Sequence, residues 1–162
     1  NPDFTYGMTN YFSFKNFNLS VLLQGTYGND IFNVSRIESE GMYDAKNQSK
    51  RILERWRRPG MVSTIPKAGY DMKISSYFVE DGSYLRIKDI TLSYDFSMNW
   101  MKKLGITRLQ PYATVTNLFT FTKYLGFDPE VNQWGNSGNV QGMDYGTYPQ
   151  TRSFIFGVNL DI

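Results

Sequence analysis

Strict alternation of apolar and polar residues constrains this chain more than any other feature. In the segment ending at Ile162, Phe154, Phe156, Val158, Leu160 and Ile162 are all large and apolar. Ser153, Gly157, Asn159 and Asp161 between them are small or polar, and only Ile155 departs from the pattern. Successive side chains on a strand point to opposite faces, so this segment has one apolar and one polar wall. Phe4 to Lys15 repeats the pattern with Phe4, Tyr6, Met8, Phe12 and Phe14, interrupted by Asn10. After a tight reversal at Asn16-Phe17, the segment from Asn18 to Asn33 sets Leu19, Val21 and Leu23 against Ser20 and Gln24, and Gly25 and Gly28 mark its far end. From Tyr77 to Ser97, Ile90, Leu92, Tyr94 and Phe96 alternate with Thr91, Ser93 and Asp95. Upstream, Val79, Leu85 and Ile87 occupy odd positions, so the phase slips near Lys88-Asp89, where a bulge is expected. Thr107 to Tyr124 sets Leu109, Ala113 and Val115 against Tyr112, Thr114 and Thr116.

These strands, over about 4–15, 18–33, 77–97, 107–124 and 151–162, are joined by connections that run short, long, short, long. The long ones differ in character. Residues 34–76 hold nine basic against five acidic side chains, and residues 125–150 contain Asp128, Glu130 and Asp144 with no Lys or Arg. Within the first, Asp44 to Arg58 is predicted helical: Asp44 caps, Ile52, Leu53 and Trp56 share a face, and Pro59-Gly60 ends it. The opposite charges predict that the two loops attract each other.

Composition narrows the chemistry. The chain has 162 residues, no Cys and no His, and a formal charge of only +2. Disulfides, thiolate nucleophiles, Ser-His-Asp catalysis and ordinary zinc sites are excluded. The near-balanced charge gives no footprint for nucleic acid. No uninterrupted apolar run exceeds three residues, too short for a membrane-spanning helix, and Asn1-Pro2-Asp3 lacks the layout of a signal peptide. Yet 17% of the residues are aromatic. Tyr and Phe concentrate near the strand ends, as the aromatic girdles of a transmembrane β-barrel require. Short connections alternating with long ones fit the same architecture. Five strands cannot close a barrel, because single-chain outer-membrane barrels start at eight. An open sheet would leave backbone groups unsatisfied in hydrocarbon. The expectation is therefore an all-β segment at the C-terminal end of a longer barrel, with one short helix in an outer loop. A soluble carbohydrate-binding β-sandwich is the alternative, since soluble sandwiches alternate too. A glycan hydrolase using Asp128 or Glu130 is a further one, though nothing supplies a buried acid partner.

Several stretches then resemble one family. Glu80-Asp-Gly-Ser-Tyr-Leu-Arg-Ile-Lys-Asp-Ile-Thr-Leu-Ser-Tyr94 is similar to a strand near the end of SusC/RagA-type TonB-dependent outer-membrane transporters. So are Asn1-Pro-Asp-Phe-Thr-Tyr-Gly7, Arg55-Trp56 with Ile65-Pro66, Asn117-Leu118-Phe119, Gly126-Phe-Asp-Pro-Glu130 and Tyr148-Pro-Gln-Thr-Arg-Ser-Phe154, in this order along the chain. The resemblance implies a plugged barrel of 22 strands in the outer membrane, crossing it many times. It implies import of glycans or peptides with a SusD-like lipoprotein, driven by the TonB complex through regions upstream of Asn1, and no enzymatic activity.

Within that frame Trp134, Tyr145 and Tyr148, in the second long loop, are the candidate ligand-contacting residues. Phe154, Phe156, Val158, Leu160 and Ile162 resemble the C-terminal signal for barrel assembly, although such signals usually finish in Phe. The basic stretch from Asp44 to Arg58 reads as a solvated loop face, with binding of an acidic ligand or lipopolysaccharide phosphates as its alternative. Asp128, Glu130, Asn132 and Asp144 match no calcium-loop spacing, so no metal and no cofactor is expected.

Overall fold

The computed structural model describes residues 1–69, 73–96, 101, 105–131 and 142–162. Its strands are β1 (Phe4–Phe14), β2 (Phe17–Tyr27), β3 (Asp30–Asn33), β4 (Val79–Asp81), β5 (Tyr84–Tyr94), β6 (Arg108–Thr122), β7 (Met143–Asp144) and β8 (Ser153–Asp161). One α-helix, α1, spans Val34–Glu40, and 3-10 turns occupy Lys50–Glu54 and Ser76–Phe78. No helix among the described residues is long and apolar enough to cross a membrane. Two compact units result. One holds Pro2–Tyr27, Ser83–Thr122 and Gln150–Ile162; the other holds Gly28–Gly82 and Lys123–Pro149, with Asn1.

The first unit is a five-stranded sheet in the order β1-β2-β5-β6-β8, every neighbouring pair antiparallel. β1 and β2 meet across a two-residue reversal in which Lys15 takes φ +54°. Asp95 holds that end of the sheet together. Its backbone N–H donates to Asn16 O at 2.8 Å, its carboxylate accepts from Asn18 Nδ2 at 2.7 Å, and Arg108 Nε donates to it at 3.2 Å. The expected phase slip is present as a bulge. The register shifts between Leu22 and Leu23 on β2 and between Ile87 and Asp89 on β5.

Two glycines of this sheet admit large rings. Tyr6 lies across Gly25, where its hydroxyl donates to Tyr84 O at 3.2 Å, and a β-carbon on Gly25 would collide with that ring and with the Tyr84 carbonyl. Tyr112 lies across Gly157, where the atoms nearest to a β-carbon would be those of the Tyr112 side chain.

The second unit has a small sheet ordered β4-β3-β7, with β3 antiparallel to β4 and parallel to β7. Residues 30–33 and 79–81, expected as extensions of long strands, therefore belong to a different sheet. Gly28, at φ +81°, turns the chain out of β2, and the 3-10 turn Ser76–Phe78 occupies what was expected as the start of the third strand. The helix expected over 44–58 is also corrected. Asp44 accepts from the N–H of Lys46 only two residues on, at 3.0 Å, closing a local turn instead of capping a helix. Ser49 caps the short 3-10 turn by accepting from Arg51 N. At Arg55 the backbone becomes extended, and Trp56 N donates to Ile65 O at 3.0 Å. The true helix begins directly after β3, where Asn33 Oδ1 accepts from Arg36 N at 3.2 Å.

The glycine contacts set up a comparison. Overpacking of this kind costs about 1–3 kcal/mol. Gly25→Ala should lie at the upper end, because it strikes backbone, and Gly157→Ala at the lower, because the Tyr112 ring can swing away. Denaturant midpoints of the two variants measure the difference.

Candidate functional site

The pairing register assigns every sheet residue to a face. One face carries Phe4, Tyr6, Met8, Phe12 and Phe14 from β1, and Phe17, Leu19, Val21, Leu23 and Tyr27 from β2. β5 adds Leu85, Ile87, Ile90, Leu92 and Tyr94 to it. β6 adds Leu109, Pro111, Ala113, Val115, Phe119 and Phe121, and β8 adds Phe154, Phe156, Val158 and Leu160. Asn10 is the polar residue among them, half-buried on β1 opposite Val21. The bulge is what keeps this face continuous. Ile87 and Ile90 are an odd number of residues apart, yet both stay on the apolar side because the extra residue is absorbed there.

The opposite face is polar: Thr5, Thr9, Ser13, Asn18, Ser20 and Gln24 lead into Arg86, Asp89, Thr91 and Ser93, then Gln110, Thr114, Thr120 and Asn159. Tyr11, Leu22, Tyr112 and Ile155 are its larger members. These groups bond to one another. Arg86 Nε donates to Thr120 Oγ1 at 2.9 Å, Thr91 and Thr114 share a hydroxyl contact at 2.8 Å, and Asn159 Nδ2 donates to Gln110 Oε1 at 3.1 Å.

The apolar face is not a buried core. Phe14 is 71% exposed, Phe156 79% and Ile162 87%. An unbroken apolar face of five strands far exceeds the patches that soluble monomers leave uncovered. Its dimensions fit hydrocarbon. Phe4 to Phe14 spans ten residue steps, about 34 Å along the strand, or about 26 Å of height at a tilt of ~40°, against an apolar band of about 25 Å in outer-membrane barrels. Most of its aromatics gather at the two margins, Phe12, Phe14, Phe17 and Tyr94 at one and Phe4, Tyr6, Tyr27, Phe119 and Phe121 at the other, while Phe154 and Phe156 pair between them. Edge-on ring pairs Phe17–Tyr94 and Phe119–Phe121, each with centroids 4.7 Å apart, knit these margins. Phe154, Phe156, Val158 and Leu160 lie on this same face along β8.

The loop unit is organised around Arg36, a buried guanidinium with carboxylates on two sides. Nη1 donates to Glu80 Oε1 at 2.7 Å; Nε and Nη2 donate to Glu40 Oε1 and Oε2 at 3.2 and 3.0 Å. Nη1 also reaches Tyr77 O at 3.3 Å, and the guanidinium lies over the Tyr77 ring, 4.7 Å from its centroid. Burial alone would lower the Arg36 pKa, but the hydrogen bonds from Glu40 and Glu80 outweigh it and hold the group above its ordinary value. Tyr77 Oη and Arg51 complete the surroundings of the Glu40 carboxylate. Burial and the bond to Glu40 raise the Tyr77 pKa. In the second loop, Tyr124 Oη donates to the buried Asp144 at 2.6 Å, and burial together with that bond pushes Tyr124 well above the usual phenol range. Asp144 also accepts from Thr147 N at 3.0 Å.

Of the candidate ligand contacts, Tyr148 is 80% exposed and Tyr145 56%; Trp134 and Asn132 lie outside the described residues. Half-buried Trp56 lines a recess of about 400 Å³ with Ser63, Thr64, Ile65, Pro66 and Lys67. Among the described residues no group of three or more acidic side chains is arranged to hold a metal ion. The ion pairs seen for Arg36, Lys46 and Arg51 are to Glu38, Glu40, Asp44 and Glu80. The two long loops meet through backbone: Phe32 N donates to Gly142 O at 2.7 Å, with β3 against β7. The Arg36 cluster was not singled out from sequence. The helical spacing of Arg36 and Glu40 and the Asn33 cap were its only local signals.

No protein-family profile matches the chain. Over 98% of its length it is 33% identical to TonB-dependent receptor P3 of Formosa agariphila, of which it spans 16%. It is 28% identical, again over 98% of its length, to TonB-dependent receptor SusC of Bacteroides thetaiotaomicron, of which it spans 15%. In structure, 99% of the chain matches 17% of a chain in the RagAB peptide importer in its "closed-closed" state, at 25% identity and a TM-score of 0.84. The chain thus spans about a sixth of the length of the curated relatives it matches.

The exposed cluster at 38–46 gives a pH dependence. Lys46 bonds Glu38 at 2.6 Å, and Glu38 and Asp44 are both held below the ordinary carboxylate range, Glu38 chiefly by that bond and Asp44 chiefly by the Lys46 backbone N–H. Carboxylates with lowered folded pKa values stabilise fully above the unfolded value, and the contribution fades as pH falls through the folded one. Amide exchange at 42–48, corrected for its intrinsic pH dependence, should therefore quicken below about pH 4.

Proposed function

The chain is a segment of a TonB-dependent receptor of the SusC/RagA kind, and on that premise we propose that it supplies barrel wall, closing strand and two outer loops to an outer-membrane importer of glycans or peptides. The observation that carries this reading is the single apolar face maintained across β1, β2, β5, β6 and β8, where a bulge absorbs the residue that would otherwise reverse it. Lipid acyl chains meet this face, and the polar face lines the interior. β8, with Phe154, Phe156, Val158 and Leu160 and followed by Ile162, is the strand that assembly recognises and that closes against the first strand of the barrel.

Residues 28–82 and 123–149 are the outer loops of this reading. Tyr145 and Tyr148 offer exposed rings to a sugar or a peptide, and Trp134 is proposed to join them. A SusD-like lipoprotein is the proposed partner for capture, and energy reaches the receptor from the TonB complex through regions that this segment does not span. RagAB being a peptide importer supports peptide cargo. The segment carries out no reaction, in keeping with relatives that are all receptors.

Facial asymmetry is the test. In the full-length receptor, Val21→Lys and Ile90→Lys, at mid-height on the apolar face, should each destabilise by about 2–4 kcal/mol, measured by equilibrium unfolding in lipid. Ser20→Lys, beside Val21, and Thr114→Lys, which pairs with Thr91 beside Ile90, are on the polar face and should cost far less. Equal losses on both faces would refute the barrel reading. For the loops, Tyr145→Ala and Tyr148→Ala should each weaken cargo binding by about 0.5–1.5 kcal/mol in calorimetric titrations with oligosaccharide and oligopeptide panels, leaving unfolding in lipid unchanged.

A further inference from the structure

We propose that the two long loops form one cooperative element locked by Arg36 and Glu80, so that a ligand or partner displacing either loop displaces both. The lock consists of contacts inside the loop unit; only the place where it acts rests on the barrel reading. Glu80 is its central member because its two carboxylate oxygens serve different loops. Oε1 accepts from Arg36 Nη1 at 2.7 Å and Asn33 Nδ2 at 3.2 Å, while Oε2 accepts from Leu125 N at 2.8 Å, at the start of the second loop.

A second tie joins the loops independently. β3 pairs in parallel with β7, setting Phe32 opposite Met143 and Asn33 opposite Asp144, and Phe32 N donates to Gly142 O. Asp144 is fixed in turn by Tyr124 Oη. The circuit therefore runs from Arg36 through Glu80 to Leu125, from the neighbouring Tyr124 to Asp144, and back across the sheet pairing to Asn33. Asn33 closes it twice, as cap of α1 and as donor to Glu80.

Every group in this circuit except the Leu125 amide is buried or nearly so. A side chain withdrawn from it strands a charge or a polar atom in a dry interior, a far larger penalty than loss of an exposed pair. That is the physical reason for all-or-none behaviour: partial opening leaves partners unsatisfied, and only joint release lets water reach them all.

Hydrogen–deuterium exchange on the full-length receptor in detergent micelles tests the lock. Glu80→Gln keeps the shape and removes the charge. Amides at 31–40 and 143–147 should then exchange faster together, by about tenfold or more, with β5 and β6 as slow as in the parent. Lys46→Ala, which removes only the exposed pairs to Glu38 and Asp44, should shift both regions by less than roughly twofold. Faster exchange at 31–40 with 143–147 unaltered would overturn the lock, as would no change in either. Loss of protection in β5 and β6 as well would overturn it too, since the effect would then not be internal to the loops. Should Glu80→Gln fail to yield folded receptor, Tyr124→Phe removes only the hydroxyl held by Asp144. It should quicken exchange at 31–40, remote in sequence from position 124, and unchanged rates there would equally overturn the proposal. A broken lock with unfolding in lipid intact on the apolar face separates failure here from failure of the barrel reading.

Discussion

A peptide amide among acyl chains has no water to fall back on, so it must bond to a neighbouring strand, and the side chain beside it must tolerate hydrocarbon. These two demands, made of the same residues, dictate the sheet. Backbone pairing favours long antiparallel strands with tight reversals such as Lys15-Asn16. Solvation of the side chains then forces a period of two, because alternate residues look outward and inward. Asn10 shows how narrow the tolerance is: a lone amide among Met8, Phe12 and Val21, placed on a strand whose other edge is unpaired within this segment. The bulge at Ile87–Asp89 obeys the same demand. Insertion of one residue would invert all of β5 beyond it, and the irregularity restores the phase within a step.

This period is also why the sheet was legible before any coordinates. The face of β8 could be read from Phe154 to Leu160, and the slip near Lys88 announced itself as a change from odd to even apolar positions. The loops have no such rule. Asp44 looks like a helix cap, but capping and local turns use the same side-chain chemistry, and the N–H of Lys46 lay nearer. Val79 looks like a strand residue and is one, in another sheet. The Arg36 cluster depends on Glu80, 44 residues away, and no local window contains both. What periodicity reveals is the solvent around an element, and contacts between distant loop residues leave no periodic trace.

Charge is handled differently in the two units. On the polar face of the sheet, Asp95 and Arg108 pair near the strand ends, and Arg86 bonds a threonine hydroxyl across the ladder. In the loop unit Arg36 gathers two carboxylates, a carbonyl and an aromatic face around one buried cation. An apolar core would hold such a unit with less desolvation penalty. The ionic arrangement instead specifies one geometry, since the guanidinium fork meets the Glu40 carboxylate in two parallel bonds.

Pairing of β3 with β4 has a kinetic consequence. Asp30 sits opposite Asp81, and Gly82 N donates to Asn29 O at 2.7 Å, so the chain leaving β2 and the chain entering β5 are returned to each other. A flexible excursion of roughly fifty residues costs about 3 kcal/mol more closure entropy than a two-residue turn. The pairing of β3 with β4 meets that cost inside the loop unit, so once it has formed β5 follows β2 as a short hairpin would bring it. Nascent hairpins could then zip in sequence, with a distant strand arriving on a near strand's timescale.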